Sequence, residues 1–110
     1  MPVVSKTDFV NTKFSVTNAA YVKLWDIDGF RQKGYVVNNS DTETIYIGSE
    51  AIKATLATNG APLYPGQTYE TFSISALYAV AAANPVDVRV MVETETEEKA
   101  FTTGTMNGCV

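Results

Sequence analysis

The segment Val86-Asp87-Val88-Arg89-Val90-Met91-Val92 decides the fold class. Its valines recur at every second position, with Asp87, Arg89 and Met91 between them. Successive side chains of an extended strand point to opposite faces, so this period sets four β-branched residues against a core and turns the others away from it. A helix would scatter the same valines around its circumference. The segment predicts a half-buried strand, and the rest of the chain can be read outward from it.

Just upstream, Asn84-Pro85 closes the preceding run, because the residue before a proline is pushed out of the helical region. That run, residues 76–82, is alanine-rich and apolar on both faces. It fits a central strand, although period alone leaves one helical turn open. Residues 68–73 read as another strand. Asn59-Gly60-Ala61-Pro62-Leu63-Tyr64-Pro65-Gly66 reads as an ordered surface loop, dense in turn residues and carrying two prolines that cannot donate to a ladder. Residues 44–48 form a strand with Ile45 and Ile47 on one side and Tyr46 opposite, entered from the polar turn Asn38-Asn39-Ser40-Asp41-Thr42; residues 34–38 are its expected partner.

Asp28-Gly29 is the signature of a two-residue type I′ hairpin, here between apolar arms at 21–27 and 30–37. In that register Asp26 faces Arg31, while Trp25, Ile27 and Phe30 share the other face near the tip. The count is about seven or eight strands, which predicts an all-β protein, an antiparallel, jelly-roll-like β-sandwich with extended termini. The 110 residues fit one domain. Residues 14–92 are expected to form the sandwich, residues 1–13 an N-terminal arm, and residues 93–110 an acidic C-terminal tail. In the tail Glu93, Glu95 and Glu97 alternate, so the strand either ends near Glu93 or continues with a solvated face.

Composition excludes several function classes. The chain has no histidine, which removes the commonest general base and metal ligand, and with it Ser-His-Asp, Cys-His and His-metal sites. The lone Cys109 cannot close a bridge within the chain. With 8 basic and 12 acidic side chains and a net charge of −4, there is no basic footprint for nucleic-acid phosphates. No stretch reaches the ~20 apolar residues of a membrane helix and the first residues carry no signal-peptide run, so a soluble, cytoplasm-like compartment without a membrane partner is expected.

Asp26-Ile27-Asp28-Gly29 looks like the start of a calcium loop, but Arg31 and Val37 stand where such a loop needs its glycine and its bidentate glutamate. No phosphate loop, CxxC pair or nucleophile elbow occurs, and paired carboxylates for hydrolysis would need an apolar cleft that the glutamate cluster does not offer. The reading is therefore of a non-enzymatic chain without cofactor, metal or catalytic residues. Trp25, Ile27 and Phe30 are candidates for partner binding if the hairpin tip projects, with burial in the core as the other reading; Phe101 and Met106 are candidate anchors on the tail. Exposed aromatics near Leu63 and Tyr64 would suit a carbohydrate.

Residues 31–50 and 60–93 resemble small β-rich structural proteins of tailed bacteriophages, the head decoration or cement proteins and related fibre domains. The resemblance rests on the order Arg31, Tyr35-Val36-Val37-Asn38-Asn39, Ile45-Tyr46-Ile47-Gly48-Ser49, Gly60-Ala61-Pro62-Leu63-Tyr64-Pro65-Gly66, Leu77-Tyr78-Ala79-Val80-Ala81 and Val86-Asp87-Val88-Arg89-Val90. It implies a β-sandwich in the virion, assembled in the host cytoplasm, that binds the major capsid protein or other virion proteins as a homo-oligomer, with a trimer as the guess. A fibre head, a receptor- or carbohydrate-binding module, or a neck or tail component is the alternative it leaves.

Overall fold

A computed structural model describes residues 3–99, with side chains placed over residues 9–94. Eight strands follow in order: β1 (Val3–Val16), β2 (Val22–Trp25), β3 (Arg31–Asn38), β4 (Ile45–Gly48), β5 (Ala61–Leu63), β6 (Thr68–Thr71), β7 (Leu77–Ala81) and β8 (Val86–Lys99). A 3-10 turn over Glu50–Thr55 and a short helix α1 (Leu56–Asn59) lie between β4 and β5. One sheet has the order β1-β8-β3-β6 and the other β2-β7-β4-β5, and every pairing is antiparallel. The predicted two-sheet antiparallel sandwich is observed, with eight strands.

The valine alternation of β8 is the spine of the core. Val86, Val88 and Val90 are buried and Val92 packs against them, while Arg89 is exposed. They meet Val16, Leu24, Val36, Ile45, Ile47 and Ala79 from the other strands. β7 is buried on both faces because a second, smaller cluster covers the outside of its sheet. Leu56 from α1 packs there with Tyr78 and Val80, joined by Tyr46 and Ile52. This resolves the alanine-rich run as a central strand, and residues 50–59, for which the sequence offered no period, are its lid.

Pairing differs from expectation in three places, the first being that Ala61–Leu63, within the segment read as a surface loop, is strand β5 and pairs with β4. The strands at 34–38 and 44–48 do not pair: β3 lies between β8 and β6, and β4 between β7 and β5. Nor is Asp28-Gly29 a hairpin, since β2 and β3 belong to different sheets. Among the described residues the positive-φ glycine is Gly66, not Gly29, so the type I′ geometry is not adopted. Instead the Asp28 carboxylate accepts the Phe30 N–H at 2.9 Å, and the Asp28 carbonyl accepts the Arg31 N–H at 3.2 Å. That Asx-type turn carries the chain from one sheet to the other.

The segments expected as arms are strand over their described length. β1 and β8 pair without a break from Val3↔Lys99 to Val16↔Val86, so strand crosses both position 13 and position 93. β3 begins at Arg31, opposite Thr94, and the β1/β8 ribbon therefore runs past the rest of its sheet, giving extents of 57 × 27 × 17 Å. Of the two strand readings left open at Glu93, the structure takes the one that continues. Phe101, Met106 and Cys109 lie outside the described residues.

Candidate partner-binding end

The two ends of the sandwich are closed by different chemistry. At one end Asn38 is fully buried, and its amide donates to the Glu43 carbonyl at 2.8 Å and the Leu63 carbonyl at 2.9 Å. Its side-chain oxygen accepts the Ser40 N–H at 3.1 Å. The neighbouring turn, Tyr64-Pro65-Gly66-Gln67, closes with the Gln67 N–H on the Tyr64 carbonyl at 3.0 Å. Gly66 has φ 78°, the left-handed value that a type II turn requires at its third position and that proline before it prepares.

At the other end the closing group is Arg31, 5% exposed. Its guanidinium donates to the carbonyls of Ser73 and Ser75, each at 3.1 Å, and to that of Asp26, and it lies 4.9 Å from the centre of the Trp25 ring. Burial lowers its pKa, opposed by the charges of Asp28 and Asp26. Its Nε has no hydrogen-bond partner. The expected cross-strand ion pair with Asp26 is absent: the Asp26 carboxylate binds Lys23 Nζ at 2.7 Å. Trp25 is likewise not at a projecting tip. It is buried, donates from Nε1 to the Ser75 carbonyl at 2.9 Å, and packs over Gly34, where an added Cβ would come within 2.5 Å of the ring. Trp25 is a core residue, because its ring fills the space that Gly34 leaves.

Of the two readings open for Ile27 and Phe30, the structure takes the exposed one, at 70% and 66%. The loop that carries them is stitched to residues 72–76 by the Asp28 N–H on the Ile74 carbonyl at 2.9 Å and by the Arg31 bonds. That second loop adds Phe72 and Ile74, 69% and 45% exposed, with Lys33 Nζ 5.2 Å from the centre of the Phe72 ring. The structure thus unites Ile27 and Phe30 with two apolar residues that sequence reading missed. Their signal was the alternation Phe72-Ser73-Ile74-Ser75, continuing a strand pattern beyond the end of β6 at Thr71.

Two further concavities carry titratable side chains. A groove of about 510 Å³ on the outer face of the β1-β8-β3-β6 sheet is lined by Tyr35, Val37 and Met91, with Lys13 and Arg89 beside them. A cleft of about 450 Å³ lies between the Lys23–Ile27 region and Glu50, with Tyr78 on its wall. Acid–base chemistry is poorly served by either. Lys53 and then the Tyr78 hydroxyl, both bonded to Glu50, hold its carboxyl below the usual range. Arg89, with Asn39 assisting, pushes Asp87 down to about 2, and Asn84 lowers Glu43. Tyr78, Lys53 and Lys23 are all moved up by their acidic partners, and Lys33 by Glu70 to about 12. Every one of these shifts leads away from neutrality, whereas a general acid or base works near it. Among the described residues no group of three or more His, Cys, Asp or Glu side chains could hold a metal ion.

No family model matches the chain, and no curated protein matches it by sequence. Among solved structures it is similar to a protein of Bacillus endospore appendages, described as a novel family of disulfide-linked pili. The TM-score is 0.50 at 13% identity, over 86% of this chain and 90% of that one. This likeness is one of fold.

Proposed function

We propose that this chain is a non-enzymatic structural subunit that joins other proteins in a larger particle, and specifically a cement or decoration protein of a tailed-phage capsid. The observation that carries the reading is the apolar end: Ile27, Phe30, Phe72 and Ile74, all exposed, on two loops held by a buried arginine. A monomer gains nothing from presenting large apolar side chains on a rigid frame, and such patches mark surfaces that meet another protein. The strand order is that of an eight-stranded jelly roll, an architecture of viral capsid and lectin domains, and it agrees with the resemblance to phage structural proteins. The fold of the appendage protein agrees with an assembling role.

On this reading the apolar end seats on the shell, and the major capsid protein or a neighbouring virion protein supplies the matching surface. Co-sedimentation with assembled shells tests it. The wild-type chain is expected in the pellet, and a Phe30→Ser, Phe72→Ser variant in the supernatant; a wild-type chain that stays in the supernatant with every shell and tail component overturns the reading. A fibre-head or glycan-binding role is favoured by one observation, the 54% exposed Tyr64 on its rigid turn at the Asn38 end. Binding to a glycan array that is lost on Tyr64→Ala would select it.

A further inference from the structure

The unpaired edge of β1 points to a second function for the long ribbon. β1 is fourteen residues long and, among the described residues, forms one border of its sheet, pairing with β8 on one side only. It contains no proline, and among the described residues no helix borders it, since α1 and the 3-10 turn sit on the other sheet against β7 and β4. A long sheet edge offers a row of free N–H and C=O groups to any strand that can run alongside. Exposed on it are Phe9 and Val10, 58% and 55% accessible, and these two residues occupy the midpoint of Val3–Val16.

That placement makes the edge self-complementary. Around a two-fold axis perpendicular to the sheet, two copies of β1 run antiparallel, and a centre at Phe9 or at Val10 keeps each sheet's faces aligned and pairs nearly the whole strand. Either centre brings the apolar residues of both copies together. Neither sets like charges opposite: with the centre at Phe9, Lys6 faces Thr12, Asp8 faces Val10 and Lys13 faces Ser5; with the centre at Val10, Lys6 faces Phe14, Asp8 faces Thr12 and Lys13 faces Thr7. The opposite border of the sheet, β6, is four residues long and would give a far shorter ladder.

We infer that the occupant of this edge is a second copy of the same chain, joined β1 to β1 into a continuous eight-stranded sheet, and that the chain works as a two-fold dimer. The inference rests on the sheet edge alone and is independent of the cement reading. It replaces the three-fold arrangement that the family resemblance implies.

Sedimentation velocity of the purified chain tests it, with cross-linking as the second measurement. The wild type is expected at twice its 11.9 kDa chain mass, and Phe9→Lys, Val10→Lys at the chain mass with an unchanged far-UV spectrum. Tyr69→Lys on β6 is expected to remain dimeric. Of the two chains Phe9→Cys, Cys109→Ser and Val10→Cys, Cys109→Ser, the one whose cysteine sits at the two-fold centre is expected to oxidise to a disulfide-linked dimer, because only there does a residue lie directly opposite its own copy, within disulfide reach. A monomeric or trimeric wild type, or a dimer that survives the Phe9/Val10 change and is lost on Tyr69→Lys, overturns the inference.

Discussion

The Asn38 end and the Arg31 end of the sandwich solve the same problem with opposite materials. Each must terminate a β3 strand and satisfy the carbonyls of the loops that cross it. Asn38 does so with a neutral amide whose donors and acceptor are all paired. Arg31 does so with a buried cation that holds three carbonyls and an aromatic ring and leaves Nε unpaired. A buried charge is an expensive way to close a fold, since its desolvation offsets much of what its bonds contribute. What the arginine adds is a stiff frame under Ile27, Phe30, Phe72 and Ile74. The Asn38 end shows a closure in which every polar group of the closing side chain is paired, and the Arg31 end shows a closure that also holds apolar groups in water.

The largest expected effect is on the frame itself. Trp25→Ala removes the ring that Gly34 and Arg31 pack against, and should lower the unfolding free energy by about 3–5 kcal/mol in urea titrations. Asn38→Ala should cost about 2–4 kcal/mol, because the Glu43 and Leu63 carbonyls and the Ser40 N–H lose their partner. Shell binding by the folded fraction should be lost with the first substitution and kept with the second, which sets the two ends apart. Gly34→Ala should destabilise by about 1–3 kcal/mol through its clash with the ring, and the cost should shrink in a Trp25→Leu background, as a double-mutant cycle would show.

Smaller effects sharpen the contrast further. Phe30→Ser with Phe72→Ser should leave stability within about 0.5 kcal/mol per site, since both side chains are already in water, while binding disappears. The smallest effect belongs to Asp87, a half-buried carboxylate paired with the exposed Arg89 and held at about 2 against an ordinary 3.8. A depressed carboxylate stabilises the folded state when ionised, so its contribution is complete above pH 3.8 and gone once the pH has fallen through 2. The difference in melting temperature between wild type and Asp87→Asn should therefore be slight at neutral pH, because solvent screens the pair, and should vanish across that window.

Much of the core was legible because it depends on local period. The valines of β8, the isoleucines of β4 and the doubly apolar β7 each show their face in a few adjacent residues. Pairing was not legible, because which strand lies beside which is decided by the whole molecule. Asp28-Gly29 has the local chemistry of a hairpin, yet burial of both Leu24 and Trp25 draws β2 into the opposite sheet, and the same dipeptide becomes a crossover. The β1/β8 ribbon escaped notice for a related reason. Polar residues without a clear period give no inward face, although two such segments can still satisfy each other's backbones along their length. At the candidate site, Trp25, Ile27 and Phe30 were legible only as a group that could be exposed or buried, whereas Phe72, Ile74 and the Arg31 clasp come together only through contacts more than forty positions apart.

Hydrogen exchange of the shell-bound chain against the free chain tests the central claim most directly. The account predicts new protection at the amides of residues 26–31 and 72–76, with residues 38–44 and 64–67 exchanging as before. Protection confined to the Asn38 end, or no change at either end in a chain that has bound, would contradict it.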